Sequence, residues 1–239
     1  MAVNTDLSDL KNLHENEKCF VIGAGPSLYG LDSSVLEKHV VIAVNSSVVI
    51  FKWCKGEPDR RFWVSNDTLC MRWDYFWTQV LRAQCNRVVR TSWSRYDKKI
   101  EGHGFRYFRP RKSGADDGKS LSASDGGLCS ISSVPTSIDL AILLGCKKIF
   151  LLGVDHKMLN AKSHFWQFWP VKKWPKRKDR NRFFRPEQSH QTAVFEKNMA
   201  VYKALDIYAK ENGVEIYNCT KRSVIKSFPK ITLDEALEM

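Results

Sequence analysis

The stretch Cys19-Phe20-Val21-Ile22-Gly23-Ala24-Gly25-Pro26-Ser27-Leu28 decides the fold class. Phe20, Val21 and Ile22 form a short apolar run of the kind that makes a strand covered on both faces. The run passes straight into a turn with Gly23, Gly25 and Pro26, and Ser27 follows where a helix N-cap or first-turn residue stands. Strand, glycine turn and helix start together outline a phosphate cradle, in which backbone without side chains approaches an anion and N–H groups point at it. The spacing matches neither G-x-G-x-x-G nor the P-loop with its Lys, because Leu28 and Tyr29 stand where those motifs need other residues. The competing reading is an ordinary tight connection between a strand and a helix.

Outward from this stretch, similar apolar runs recur at Val40–Val44, Phe62–Val64, Arg87–Arg90, Ile149–Leu152 and Val214–Tyr217. Helical patterns lie between them. Pro135–Leu144 places Ile138, Ala141, Ile142 and Leu144 at helical spacing and stops at Gly145; Thr192–Asn212 does the same with Phe195, Met199, Tyr202, Leu205 and Tyr208 and ends at Gly213. Alternating strands and helices predict an α/β, doubly wound, mostly parallel sheet of Rossmann-like type with right-handed crossovers. One domain is expected over residues 1–239, interrupted by a loop at 113–127 and a long insertion at 157–189 acting as a lid or binding loop.

In such sheets ligands bind beyond the carboxyl ends of the strands. Four predicted strand ends carry polar residues: Gly23–Ser27, Asn45-Ser46-Ser47, Ser65-Asn66-Asp67 and Gly153-Val154-Asp155-His156. Singly, Asn45 reads as a turn former, and Asp67 and Asp155 as helix caps. Their coincidence at four strand ends points to a ligand crevice.

The formal charge of +12 is concentrated. Lys172, Lys173, Lys176, Arg177, Lys178, Arg180, Arg182 and Arg185 stand against the single acid Asp179, interleaved with Trp166, Phe168, Trp169, Trp174, Phe183 and Phe184. A basic-aromatic stretch of this kind suits nucleotides, acidic glycans, an anionic membrane surface or nucleic acid. The seven cysteines are odd in number and form no C-x-x-C pair, which argues for reduced thiols and against a zinc site. No run approaches the ~18 apolar residues of a membrane helix, and the N-terminus is too polar for a signal peptide. The expected setting is cytoplasmic.

G-A-G-P-S-L, Asn45 after the second strand, and Pro58-Asp59 leading to Asp67 resemble the 6-hydroxymethylpterin pyrophosphokinase-like domain, which also forms the core of motility-accessory glycosyltransferases that decorate flagellin. Ser132-Ser133 before a helix, Leu144-Gly145-Cys146-Lys147-Lys148-Ile149, Leu152-Gly153-Val154-Asp155 and Ser163-His164-Phe165 are similar both to that domain and to bacterial lipooligosaccharide sialyltransferases. The sialyltransferases carry Asn at the position of Ala24, so that nucleotide contact is not carried over. Phe165, Trp166 and Tyr202 are the candidates for their aromatic groups at the leaving phosphate.

The sialyltransferase-like resemblance implies a glycosyltransferase with a CMP-linked sugar donor and a glycan acceptor. Gly23, Gly25, Pro26 and Ser27 would take phosphate; Asn45, Asn66, Asp67, Ser132 and Ser133 would hold base and ribose. A neutral histidine near its ordinary pKa suits the general base, with His190 at the family's position and His164 and His156 as rivals; Asp155 is a further catalytic candidate. The pyrophosphokinase-like resemblance implies ATP on the same cradle, with Asp67 and Asp155 holding Mg²⁺ between phosphates. Binding or modification of nucleic acid is the third and least favoured reading, resting on the basic-aromatic segment alone.

Overall fold

The apolar runs form eight strands in the computed structural model, which describes residues 7–111, 127–173, 175 and 188–239. They are β1 (Lys18–Ile22), β2 (Val40–Val44), β3 (Arg61–Ser65), β4 (Asn86–Arg90), β5 (Phe105–Pro110), β6 (Gly127–Leu128), β7 (Lys148–Leu152) and β8 (Glu215–Asn218). They join one sheet in the order β6-β5-β4-β3-β2-β1-β7-β8, and every neighbouring pair is parallel. All six predicted strands are present, each within two residues of its expected start; β5 and β6 are additional.

Side chains alternate between two cores, as the period of a strand requires. Cys19 and Val21 of β1, Val40 and Ile42 of β2 and Ile149 and Leu151 of β7 pack on one face. That face is covered by α3 (Ser133–Leu143) and α4 (Gln188–Glu211), through residues such as Ile138, Leu140, Tyr202 and Leu205. Phe20 and Ile22, Val41 and Ala43, Trp63, Phe150 and Leu152 face the other way. There the cover is α1 (Asp74–Arg82), α2 (Asp97–Ile100), α5 (Leu233–Glu238) and a set of 3₁₀ turns rather than long helices. Bulky aromatics fill the space those turns leave: Trp63 meets Trp93 at 5.9 Å, and Trp77 meets Phe105 at 5.9 Å. Helices on both faces make the sheet doubly wound. Each fully buried large side chain in these layers contributes about 1.5–3 kcal/mol.

Two expectations need correction. The helix expected after the glycine turn is a single 3₁₀ turn, Pro26–Leu28, with Pro26 in its first position. Three residues sum too few peptide dipoles to make an anion site of their own. Of the aromatics of the insertion expected to face a ligand or a membrane, Trp166 is buried, against Trp73 at 5.5 Å and Phe76 at 6.1 Å, as is Phe165 beside it. Phe165 N–H donates to the Ala24 carbonyl at 3.2 Å, so this part of the insertion is fastened to the glycine turn. Lys172 and Lys173 are exposed; of the remaining basic-aromatic segment to Arg185, only Pro175 is among the described residues. The predicted loop at 113–127 lies outside them except for Gly127. The seven cysteines are free thiols, and no described helix is long and apolar enough to cross a membrane.

Candidate functional site

Strand β1 lies between β2 and β7, and the chain leaves it towards β2 and later returns to β7 on its other side. The connections therefore diverge between β1 and β7, the switch point at which an open α/β sheet leaves a crevice over its carboxyl edge. The polar strand ends picked from the sequence all lie along that edge.

The turns after β1 and β7 are packed directly on each other. Gly23 N–H donates to the Leu152 carbonyl at 2.7 Å and Gly25 N–H to the Gly153 carbonyl at 2.8 Å. Ser27 donates its hydroxyl to Asp155 Oδ2 at 2.8 Å and its N–H to the same oxygen at 3.3 Å. A Cβ on Gly25 would run into the Asp155 carboxylate and sit 2.6 Å from the Gly153 carbonyl oxygen. Close approach of residues 153–155 thus accounts for both glycines. It also corrects the phosphate cradle: the N–H groups of Gly23, Gly25 and Ser27 are already taken, the last by a carboxylate. Asp155 is buried, which raises its pKa, while the Ser27 hydrogen bonds and Lys157 hold it down.

A second cluster forms over β2 and β3. Asn45 sits at φ 53°, in the left-handed region that Asn tolerates better than most residues. Its Oδ1 accepts from Ser65 Oγ at 2.7 Å and from Ser133 Oγ at 3.3 Å. Its amide nitrogen has no partner among the described residues and is left as a donor at the edge. Asn66 N–H donates to Ser133 Oγ at 2.9 Å, and the Asn66 amide donates to Thr136 Oγ1 at 2.9 Å. Asn45, Asn66, Ser132 and Ser133, predicted separately, therefore meet at one place.

The N-terminus of α3 closes this cluster. Ser132 occupies the N-cap position but makes no capping bond; its hydroxyl donates to Asn198 Oδ1 on α4 at 3.0 Å. Pro135 in the first turn has no N–H to satisfy. The positive end of this helix thus opens on the Asn45–Asn66–Ser133 group without a side-chain cap.

The two candidate metal carboxylates are not brought together. The ends of β3 and β7 are three strand spacings apart, about 14 Å, and no single Mg²⁺ bridges that gap. Asp67 instead caps the turn Thr68–Arg72 by accepting from Leu69 N–H at 2.8 Å. Among the described residues no group of three His, Cys, Asp or Glu side chains is placed to hold a metal.

The histidines differ in setting. His156, at φ 50°, meets Tyr202 OH through Nε2 at 2.7 Å, and His164 meets Ser163 Oγ through Nδ1 at 2.8 Å. Both rings are largely shielded from solvent, and desolvation lowers each pKa to about 4. Position 190 lies in the first turn of α4, eight residues or about 12 Å of helix before Asn198; its side chain is outside the described residues. Among the nucleotide-site candidates, Asn198 and Thr136 were not picked from the sequence, and Ser65 was picked only as part of a polar strand end. Asn198 had a signal: a buried amide four residues before Tyr202 on the apolar stripe of α4.

No protein-family model and no curated protein sequence matches the chain. Among solved structures it is similar to the sialyltransferase CstII from Campylobacter jejuni in complex with the substrate analogue cytidine-5'-monophosphate, at 14% identity over 91% of this chain and 85% of that one, with a TM-score of 0.44. It is also similar to the monofunctional alpha-2,3-sialyltransferase Cst-I from Campylobacter jejuni, at 14% identity over 90% of this chain and 80% of that one, with a TM-score of 0.49.

Proposed function

We propose that the chain is a nucleotide-dependent glycosyltransferase that moves a sugar from a CMP-linked donor to a hydroxyl of a glycan acceptor. The observation that carries the nucleotide part is the uncapped N-terminus of α3 beside Asn45, Asn66 and Ser133, at the carboxyl edge of a doubly wound parallel sheet. Unused donors of this kind suit the carbonyl and hydroxyl groups of a base and ribose. The choice of CMP follows the sialyltransferase-like motifs of the sequence. Because Asp155 occupies the Ser27 turn, the donor phosphate is better matched to the basic segment from Lys172 to Arg185 than to that turn.

In the transfer step the acceptor hydroxyl gives its proton to a histidine. Its oxygen bonds to the anomeric carbon as the carbon–oxygen bond to phosphate breaks, and CMP leaves with the electron pair. A base working near neutral pH needs a pKa close to that pH. With pKa values of about 4, His156 and His164 are weak bases, which favours His190. Asp155 is then a positioning residue that holds the Ser27 turn.

Thermal-shift measurements with CMP, CDP, UDP, GDP and ATP, each with and without Mg²⁺, test the reading. Stabilisation by CMP that needs no metal supports it; stabilisation by ATP alone, and only with Mg²⁺, overturns it in favour of pyrophosphoryl transfer. His190→Ala is expected to abolish transfer while leaving the CMP-induced shift in place. Loss of the shift as well would make His190 a binding or structural residue.

A further inference from the structure

A concavity of ≈ 230 Å³ opens at the same edge, over β1, β7 and β8. Ser27 and Tyr29 line it from the β1 turn, Phe168 from the segment after β7, and Lys221 and Arg222 from the loop after β8. The nucleotide cluster lies over β2 and β3. It shares no residue with the lining of this concavity, so the two are adjacent subsites facing one edge.

Its charge is one-sided. The chain from Cys219 to Lys230 carries Lys221, Arg222, Lys226 and Lys230 and no acid. Facing it, the stretch 157–169 carries Lys157 and Lys162 and no acid. Lys221 and Arg222 are exposed and in no ion pair among the described residues. The neighbouring carboxylate, Asp155, is 3% exposed, hydrogen-bonded to Ser27 and outnumbered by Lys157, Lys162, Lys221 and Arg222, so the field at the mouth stays positive.

The aromatic wall is fixed in place. Tyr29 stacks on Phe168 with centroids 5.2 Å apart and planes at 24°, and Lys162 Nζ stands 4.0 Å from the Phe168 centroid. Tyr29 is still 55% exposed, so an ordered ring is held open at the cleft. An exposed aromatic locked in a stack is a contact surface for a ligand with an apolar face.

We infer that this cleft is a subsite for an acidic sugar: a pyranose ring against Tyr29, with its carboxylate or phosphate on Arg222 and Lys221. The volume is below the roughly 300–1,000 Å³ of pockets for larger ligands and above the ~150 Å³ that holds benzene, which fits one six-membered ring. Arginine supplies the paired donors that a carboxylate or phosphate accepts. That this sugar is part of the acceptor rests on the transferase reading above; that the cleft binds it does not.

Titration of the full-length chain with galacturonate, galactose 6-phosphate and galactose, followed by protein-observed NMR, tests the inference, with CMP titrated in parallel. At least one acidic sugar is expected to bind about tenfold or more tightly than galactose, and the carboxylate and phosphate arms identify the acid group. Arg222→Ala and Tyr29→Ala, both at exposed positions, should each weaken that binding by about tenfold and leave the CMP response unchanged. Equal binding of galactose, unaltered binding in both variants, or inorganic phosphate competing as well as the sugar acid would each overturn the inference. Sugar binding without any CMP response would remove the transferase reading and keep the subsite; the reverse would remove only the subsite.

Discussion

Gly25 has φ −69°, a conformation open to any residue, and is glycine for a steric reason alone. Its neighbours across the switch point leave no room for a methyl group: the Asp155 carboxylate can swing aside, but the Gly153 carbonyl is backbone. Gly25→Ala is therefore expected to lower stability by about 1–3 kcal/mol, the usual cost of overpacking, read as a lower urea midpoint at unchanged m-value. A variant as stable as the parent would contradict the packing. His156 makes a residue-scale prediction about pH. Its pKa falls from the usual 6.5 to about 4, so as pH drops below 6.5 the unfolded chain takes a proton that the folded ring refuses. The stability this neutral ring allows is fully present above pH 6.5 and is lost as pH falls towards 4. His156→Gln keeps a polar partner for Tyr202 and cannot take that proton. Its Tm relative to the parent should rise as pH goes from 7 to 4.5, and a difference that stays flat would contradict the desolvation.

At the scale of elements, α3 carries the nucleotide cluster and is anchored from below. Asp139, fully buried on α3, pairs with Arg111 at the end of β5 and accepts from Cys129 N–H at 2.7 Å. Arg111 Nε also donates to the Gly127 carbonyl at 2.7 Å, so one guanidinium ties β5, β6 and α3 together. Burial raises the Asp139 pKa to about 6 against the pull of Arg111, which leaves the carboxylate ionised at neutral pH. Asp139→Ala strands a buried charge and should cost about 3–5 kcal/mol, whereas the paired change Arg111→Met with Asp139→Leu should recover most of it. Chemical denaturation of the two variants beside the parent checks this; a double variant no better than the single would contradict it. This anchor was hidden in the sequence because its partners lie 28 positions apart with no periodic signal between them. β5 was hidden too: Phe105-Arg106-Tyr107-Phe108-Arg109-Pro110 mixes arginines with aromatics near the sheet edge, so it lacks the Val and Ile run that marked the central strands. By contrast α5 announces itself in Thr232-Leu233-Asp234-Glu235, a capping box in which Glu235 Oε2 accepts from Thr232 N–H at 2.6 Å. That signal was available and went unused.

For the molecule as a whole, the central strands and their polar ends were legible because a strand buried on both faces is apolar until it stops, and its stop is then conspicuous. Asn45, Asn66 and Ser133 could be chosen that way, each from its place beside a strand or a helix start. What each strand end is used for was not legible, since it depends on partners brought in by the sheet order. Asp155 reads as a metal ligand or a catalytic group in the sequence, but β7 lies beside β1 and its carboxylate meets Ser27. Asp67 reads as its partner, but three strand spacings separate them. The sheet order divides the work instead: an amide and hydroxyl cluster with an uncapped helix end over β2 and β3, and a cationic aromatic cleft beside β8. The central claim is that the first of these binds a nucleotide. Isothermal titration of CMP into the parent chain and into Asn45→Gly, which keeps the left-handed turn and removes the amide, tests it most directly. The account predicts metal-independent binding to the parent and a loss of about tenfold or more in the folded variant; equal affinity in both, or no CMP binding to the parent, would contradict it.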